Sequence, residues 1–168
     1  MTTDMKKTFL SFLLVFTATA VMAGDWDFGG NYESDRNNFS LEIGVGGTGD
    51  VTVDLGVRWQ MTLHENIAWD VITLKAVADV ENDFTESITP ELLTGVRLIS
   101  PEFAGLKAYA NGRLGYAYNI DAEDGGFAYE LGVGIYATDN IYLGYAYNGY
   151  KIGDGQVNYH ALRIGFLF

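Results

Sequence analysis

Ten charged side chains stand at alternating positions in segments that are otherwise apolar, and they are the residues of this chain best suited to chemistry. In each segment the charged residue shares one side with small or polar residues, while the other side is apolar. A charge enclosed without a partner is strongly unfavourable, so these faces predict ion pairing wherever they are buried. The ten residues are Glu42, Asp54, Arg58, Lys75, Glu91, Arg97, Lys107, Arg113, Glu130 and Arg163.

Other kinds of site find less support in the sequence. A nucleophilic enzyme needs a nucleophile beside a base. The two histidines are His64, in a predicted turn, and His160, which has Leu162 and no serine two residues along the same face. The acidic stretches 79–83 and 121–124 carry ligand types that Ca²⁺ or Mg²⁺ prefers, but they lack the spacing and central Gly of an EF-hand loop. We therefore predict no catalytic, cofactor or metal site, with weak cation contact at these loops as the alternative.

The charged residues lie on eight segments with strand-like alternation. No helical period is sustained after Ala23, and the recurring unit is the hairpin. The segment at 67–78 is apolar on both faces; we assign Ile72, Leu74, Ala76 and Ala78 outward, because the other register would turn Lys75 outward. The predicted strands are Phe39–Val45, Val51–Gln60, Ile67–Ala78, Ile88–Ile99, Gly105–Tyr118, Phe127–Tyr136, Ile141–Tyr147 and Tyr159–Phe168.

The connections predict two different rims. The second, fourth and sixth joints, at 61–66, 100–104 and 137–140, are short. The third, fifth and seventh, at 79–87, 119–126 and 149–156, are longer or more charged, whereas the first, at 46–50, is short. Short turns at one rim and longer loops at the other are typical of membrane-spanning β-barrels.

The closing segment has the pattern of a strand that faces lipid. Its apolar row ends the chain on an aromatic residue, and Ala161, Arg163 and Gly165 alternate with that row. Two further aromatic groups, near Tyr116 and Phe127 at one end of the strands and near Trp59 at the other, predict two interfacial girdles. The outward row of the closing strand is Leu162, Ile164, Phe166 and Phe168.

Composition and the N-terminus complete the predicted organisation. A chain of 168 residues fits one domain, the absence of Cys excludes disulfides, and a net charge of −12 argues against nucleic-acid partners. Residues 1–23 have the basic start, apolar centre and small-residue end of a cleaved signal peptide, although Met5 is an alternative start to Met1. We expect a signal peptide at 1–23, a polar leader at 24–38 and a β-barrel at 39–168.

The stretch Gly132–Tyr147, followed by the aromatic-ended closing strand, resembles the last hairpin and closing strand of opacity-type and OmpA-like outer-membrane barrels. The predicted fold is all-β: an eight-stranded antiparallel up-and-down transmembrane β-barrel. The resemblance implies export by the Sec route, residence in the bacterial outer membrane with its lipid and lipopolysaccharide, and insertion by an assembly machinery that recognises the final aromatic residue. A soluble barrel of lipocalin type, with the two faces inverted, remains the alternative architecture.

For function, these patterns favour a structural or surface-interacting protein rather than an enzyme. A barrel of eight strands is only wide enough for side chains to fill its interior, so an ion-pair network is expected to plug the lumen. Six basic residues against four acidic ones leave a narrow, slightly basic, porin-like channel as the alternative. The acidic loops could bind an extracellular ligand. A lipid-modifying enzyme is the least favoured possibility, since barrel-type lipid A deacylases pair His with Ser where this chain has Leu162.

Overall fold

The structure is a computed structural model, and it describes residues 37–49, 51–64, 66–79 and 88–168. The predicted signal peptide and nearly all of the predicted leader lie outside the described residues. The first strand begins at Asn37, two residues before the predicted Phe39. No helix in the described part of the chain is long and apolar enough to cross a membrane.

Eight antiparallel strands form one closed barrel in which each strand pairs with its neighbours in sequence, and β1 pairs with β8. At this seam the amide N–H of Phe168 donates to the carbonyl oxygen of Phe39 at 2.9 Å. The predicted fold class is therefore confirmed. The strands are β1 (Asn37–Gly47), β2 (Val51–His64), β3 (Ile67–Asp79), β4 (Ile88–Ile99), β5 (Lys107–Asn119), β6 (Asp124–Tyr136), β7 (Ile141–Ile152) and β8 (Gly155–Leu167).

The two faces of the sheet are apolar outside and charged inside. Leu162 is 71% exposed and Leu131 is 58% exposed on the outer surface, whereas Glu42 and Arg58 are fully buried in the lumen. A soluble barrel needs the opposite arrangement, because water would surround its outer face and apolar side chains would fill its interior. The lipocalin-type alternative is therefore wrong, and the alternation is that of a transmembrane barrel.

Several strands are longer than predicted. The predicted loops at 119–126 and 149–156 are mostly strand, because Ala117 pairs with Gly126 and Lys151 pairs with Gln156. Glycine and acidic residues there are typical of turns, but cross-strand hydrogen bonding in a hairpin satisfies their backbone groups equally well. The connections that remain, at 120–123 and 153–154, are tight turns. These joints, predicted to be longer or more charged, are thus not longer, although both carry acidic residues.

The turns and chain ends define two rims. The upper rim consists of the turns at 120–123 and 153–154, the end of β1 with the start of β2, and the end of β3 with the start of β4. The lower rim consists of the turns at 65–66, 100–106 and 137–140, and it also holds the start of β1 and the end of β8. Aromatic rings lie on the outer face towards both rims, with Phe39 stacked on Trp59 below and Phe127 stacked on Tyr129 above.

A β-bulge interrupts β3. Trp59 pairs with Ile72, but the next residue of β2, Gln60, pairs with Asp70, so Val71 is an extra residue. An extra residue reverses the alternation on one side of the bulge. Ile72, Leu74, Ala76 and Ala78 are on the outward register that we assigned, whereas Asp70 turns into the lumen.

Candidate functional site

The lumen holds five cations and five carboxylates among the described residues, and none of these side chains is more than 6% exposed. They come from seven of the eight strands, so no hairpin contains the set. We call them the lumen charge cluster. Its members are Glu42, Asp54, Arg58, Asp70, Lys75, Glu91, Arg97, Arg113, Glu130 and Arg163.

Glu42 on β1 is the centre of the cluster. Its carboxylate lies 2.9 Å from Nη2 of Arg113 and 3.1 Å from Nη1 of Arg58. Guanidinium groups of Arg163 and Arg97 lie further away, at 3.6 Å and 3.7 Å. The Tyr142 hydroxyl also donates to Glu42 Oε1 at 2.5 Å. The Glu42 carboxylate thus faces four cations. The charge balance in the lower part of the lumen charge cluster therefore depends on Glu42.

Glu130 and Lys75 organise the upper part of the cluster. Glu130 accepts from Arg113 Nη1 at 2.9 Å and lies 2.7 Å from Nη1 of Arg163. Lys75 Nζ lies 2.8 Å from Glu91 and 3.3 Å from Glu130. It also donates to the Asn148 side-chain oxygen at 2.9 Å. Because Glu130 contacts both the arginines and the lysine, the two parts form one connected network.

Asp70 is the cluster member that the sequence analysis missed. Its carboxylate accepts from Arg113 Nε at 2.7 Å. The pairing of β3 with β4 is irregular just after Asp70, and the outward-facing Thr94 hydroxyl donates to the Asp70 carbonyl oxygen at 3.0 Å. Trp69 Nε1 in turn donates to the Thr94 hydroxyl oxygen at 3.1 Å. These contacts add hydrogen bonds to the bulge on the outer face, where water is absent in a bilayer. No alternation pattern signals it, since one extra residue decides the face.

Three tyrosines line the lower part of the lumen beside Arg97. Its guanidinium carbon lies 4.2 Å from the ring centroid of Tyr109 and 5.0 Å from that of Tyr142, and Nη1 donates to the Tyr136 hydroxyl at 3.1 Å. Tyr142 lies over Gly165, where a Cβ atom would stand 1.9 Å from the ring. The glycine-rich inner face therefore makes room for large side chains in a narrow lumen.

Lys107 does not belong to the cluster. It lies at the lower rim, where its exposed side chain lines the cavity described below. The predicted set of six bases and four acids is thus corrected at two positions: Lys107 is outside and Asp70 is inside. With five charges of each sign, the described part of the lumen is balanced. The excess of positive charge that suggested an anion-favouring pore is absent from this set.

The two ends of the lumen differ. Towards the upper rim, Val77, Tyr159 and Ala161 pack with Tyr150, and a second inward group, Leu93, Ala117 and Ala128, packs against Tyr150 and Ile152. We call these residues the apolar layer. Towards the lower rim a cavity of about 910 Å³ is lined by polar residues that include Gln60, Lys107 and Tyr136. We call it the mouth cavity.

Some lumen polar atoms have no hydrogen-bonding partner among the described residues. All three nitrogens of Arg58 are in this group, together with the hydroxyls of Ser40 and Thr73 and the side-chain oxygen of Gln60. Arg58 still has ionic contacts with Glu42 and Asp70, and its guanidinium lies 5.1 Å from the Tyr142 ring centroid. Buried atoms without a partner also occur on Glu91, Arg97, Asn148, Tyr159 and Arg163, so incomplete hydrogen bonding extends through the lumen and is greatest at Arg58.

The remaining predicted residues lie outside the lumen. His160 is on the outer face between Tyr145 and Tyr147, and His64 is exposed at the lower end of β2. Leu162 and Phe168 are exposed on the outer surface, and Ile164 and Phe166 between them are partly exposed. Asp121 lies in an exposed turn and Asp124 at the exposed start of β6, and no group of His, Asp or Glu suited to hold a metal occurs among the described residues. The other acidic stretch lies largely outside those residues.

No protein-family model matches this chain, and no curated protein matches it in sequence. Solved structures do match its fold. A structure described as de novo design of transmembrane β-barrels has a TM-score of 0.51 and 16% identity, over 82% of this chain and all of the other. The N-terminal β-barrel domain of Pseudomonas aeruginosa OprF has a TM-score of 0.50 and 17% identity, over 79% of this chain and 98% of that domain. The outer-membrane protein Ail of Yersinia pestis has a TM-score of 0.47 and 12% identity, over 79% and 99%.

Proposed function

We propose that this chain is a bacterial outer-membrane protein with a structural or surface-interacting role and a lumen sealed by ion pairs. The observation that carries the proposal is the lumen charge cluster, in which five buried cations meet five buried carboxylates. Matched charges at 2.7 to 3.9 Å occupy the space through which ions would have to pass. The apolar layer adds a second barrier on the upper side.

The membrane and orientation belong to the same proposal. The apolar outer face, the two aromatic girdles and a fold shared with an outer-membrane barrel domain support an outer-membrane location, reached by Sec export and barrel-assembly machinery. We assign the lower rim, which holds both ends of the described barrel, to the periplasm. The upper rim, with its exposed acidic turn, would then meet the cell exterior and any extracellular ligand.

Planar-bilayer recording tests the sealed lumen. Purified protein, verified as folded by its heat-modifiable gel mobility, is expected to give no steady ohmic current. Arg97→Ala is also expected to be silent: it enlarges the lumen only below the apolar layer, which stays in place. Arg113→Ala provides a second cluster variant, and Lys107→Ala, at the mouth cavity, provides the control.

A narrow channel is the second candidate, and the mouth cavity is the observation that favours it. This cavity extends from the lower rim to Gln60 and Tyr136, and Tyr136 accepts a hydrogen bond from Arg97 of the cluster. The polar lining continues at Arg58 and Thr73, whose buried side chains carry polar atoms without a hydrogen-bonding partner among the described residues. Steady conductance in the wild type that changes in Arg97→Ala or Arg113→Ala, but not in Lys107→Ala, would reject the sealed lumen and favour the channel.

An enzymatic role has less support than either candidate. The ring contacts of His160 are with two tyrosines, and the residue two positions along its face is Leu162. None of these neighbours is a serine that His160 could activate as a nucleophile. Incubation of the folded protein with lipid A and analysis of the products by mass spectrometry would detect deacylation, which we expect to be absent.

A further inference from the structure

A groove of about 400 Å³ runs along the outer surface near the upper rim, where β1, β2, β7 and β8 meet. Val45, Val51 and Leu162 form its apolar walls, and His160 and Tyr145 border it on one side. Gly47 pairs with His160 and contributes no side chain. Its φ of 146° disfavours any residue with a Cβ atom, so the gap in this part of the girdle is built into the backbone. We call this feature the outer groove.

A ladder of five rings leads to the outer groove across β6, β7 and β8. The ring centroids of Phe127 and Tyr129 are 6.3 Å apart, and those of Tyr129 and Tyr147 are 6.0 Å apart. His160 continues the ladder at 5.0 Å from Tyr147 and 5.6 Å from Tyr145. The ladder presents flat rings beside an apolar groove, on a surface that faces lipid.

The hydrogen bond between Tyr145 and His160 orients the imidazole. The Tyr145 hydroxyl contacts Nδ1 of His160. In neutral histidine a hydroxyl that donates to Nδ1 requires the proton to be on Nε2. If Nδ1 instead donates to the Tyr145 oxygen, Nε2 of the neutral ring is an acceptor. The exposed imidazole therefore presents Nε2 next to the outer groove, as a donor when Tyr145 donates to Nδ1.

Polarity increases stepwise along two adjacent strands. On the outer face of β7 the order towards the upper rim is Leu143, Tyr145, Tyr147, Gly149 and Lys151. Lys151 is about 13 Å beyond Tyr147 at roughly 3.3 Å per residue. It pairs in register with Gln156, and its exposed side chain has no ion pair with any described residue. The outer face of β8 changes in the same direction, through Leu162, His160, Asn158 and Gln156.

We infer that the outer groove and the ring ladder form a binding site for one lipopolysaccharide molecule. An acyl chain lies in the groove between Val45 and Leu162, His160 Nε2 donates to an oxygen of the acylated glucosamine, and Lys151 meets a phosphate. Towards the upper rim, the surface presents first an apolar groove, then flat rings and then a cation. This is also the order of the acyl chain, the sugar and the phosphate in lipopolysaccharide. A glycerophospholipid has no sugar ring to cover the ladder, so it matches the surface less well. The inference rests on the proposed outer-membrane location, with the upper rim in the outer leaflet.

The test measures lipid retained by the folded barrel. Purified protein is reconstituted in nanodiscs with lipid A, returned to detergent, and analysed by native mass spectrometry. The wild type is expected to retain one lipid A molecule. Val45→Phe fills the groove, and His160→Phe keeps the ring but removes the donor. Each change is expected to lower retention about tenfold, the effect of losing one good contact. Lys151→Gln is expected to weaken binding of lipid A but not of its dephosphorylated form.

Val133→Phe is the matched control, because Val133 is 55% exposed and Val45 is 51% exposed on the same outer face. Folding of every variant is checked by gel mobility, and His160→Phe answers the question independently if Val45→Phe does not fold. Equal retention by wild type, Val45→Phe and His160→Phe would overturn the inference. Equal retention of phosphatidylglycerol would identify the groove as a general acyl-chain contact and also reject it. Conductance is a separate measurement, so a conducting lumen would leave this result unaffected.

Discussion

Lys75 and Lys107 are both lysines on the inner face of the barrel, yet their surroundings are opposite. Lys75 is fully buried in the lumen charge cluster, 2.8 Å from Glu91 and 3.3 Å from Glu130. Lys107 is exposed beside the mouth cavity, which Glu102 and Asp139 also line, and it has no ion pair with a described residue. The cluster has every charge matched, whereas the mouth cavity leaves its charges to solvent.

The difference shows where this barrel requires charge pairing. An ion at the mouth keeps its hydration, so a partner adds little stability. An ion in the middle of the lumen loses water and must be compensated by nearby charges and hydrogen bonds. The balance of five against five is therefore a requirement of burial and not a general property of the inner face. Substitutions that remove a charge should have effects graded by depth.

The largest effect is expected at Glu42, which faces four guanidinium groups. Glu42→Gln leaves these cations undercompensated in a buried site, and such a loss costs about 3–5 kcal/mol. The folded fraction, measured by urea titration in lipid vesicles with gel mobility as the readout, should fall sharply. Glu102→Gln at the mouth cavity is the control and should unfold like the wild type. Equal stability of the two variants would contradict the contrast between the regions.

An intermediate effect is expected at Thr94, which acts on the cluster from outside the barrel. Thr94→Val removes the hydroxyl that donates to the Asp70 carbonyl oxygen at the bulge, and the loss of one such hydrogen bond costs about 0.5–1.5 kcal/mol. Trp69→Phe removes only the indole donor to the Thr94 hydroxyl, so the carbonyl keeps its partner and the loss should be smaller. The same urea titration ranks the two variants. A larger loss for Trp69→Phe would show that the bulge does not depend on Thr94.

The smallest effect is expected at Lys107. Lys107→Ala removes an exposed cation from the mouth cavity and should change the free energy of unfolding by less than about 0.5 kcal/mol. Lys75→Ala provides the comparison within the cluster, because it leaves Glu91 without its cationic partner. Similar urea midpoints for the two alanine variants would mean that burial does not determine the importance of a lumen charge.

The sequence predicts well which face of a strand a residue occupies, but it does not predict which residues form ion pairs with each other. Alternation assigns Glu42, Arg113 and Arg163 to the inner face, because only one face of each strand can meet lipid. It cannot show that Arg113 contacts Glu42, since 71 residues separate them and the contact depends on the stagger of the closed barrel. The bulge at Val71 is a further limit, because β3 is apolar on both faces and the pattern does not reveal an extra residue.

Strand ends were the other source of error. The Asp, Gly and Asn residues around 119–126 have a turn-like composition, which predicts a loop over all of them. In the barrel, backbone pairing continues up to Asn119 and Asp124, so the turn itself is shorter. Lys107 was misassigned for a related reason. Its face was predicted correctly, but alternation contains no information on depth along the lumen.

The wide distribution of the lumen charge cluster along the chain has a consequence for the order of assembly. Glu42 is on β1 and Arg163 is on β8, and Arg163 also reaches Asp54 on β2, 109 residues away in the sequence. A single hairpin can form its backbone ladder early and can pair some of its inward charges, such as Arg113 with Glu130. Arg163 on β8, however, meets Glu42 and Asp54 only when the barrel is closed. The last seam to close, between β1 and β8, is therefore also the step that completes the charge balance. Contacts between such distant residues slow folding, and they favour a barrel that closes in one cooperative event over one that accumulates as stable partial sheets.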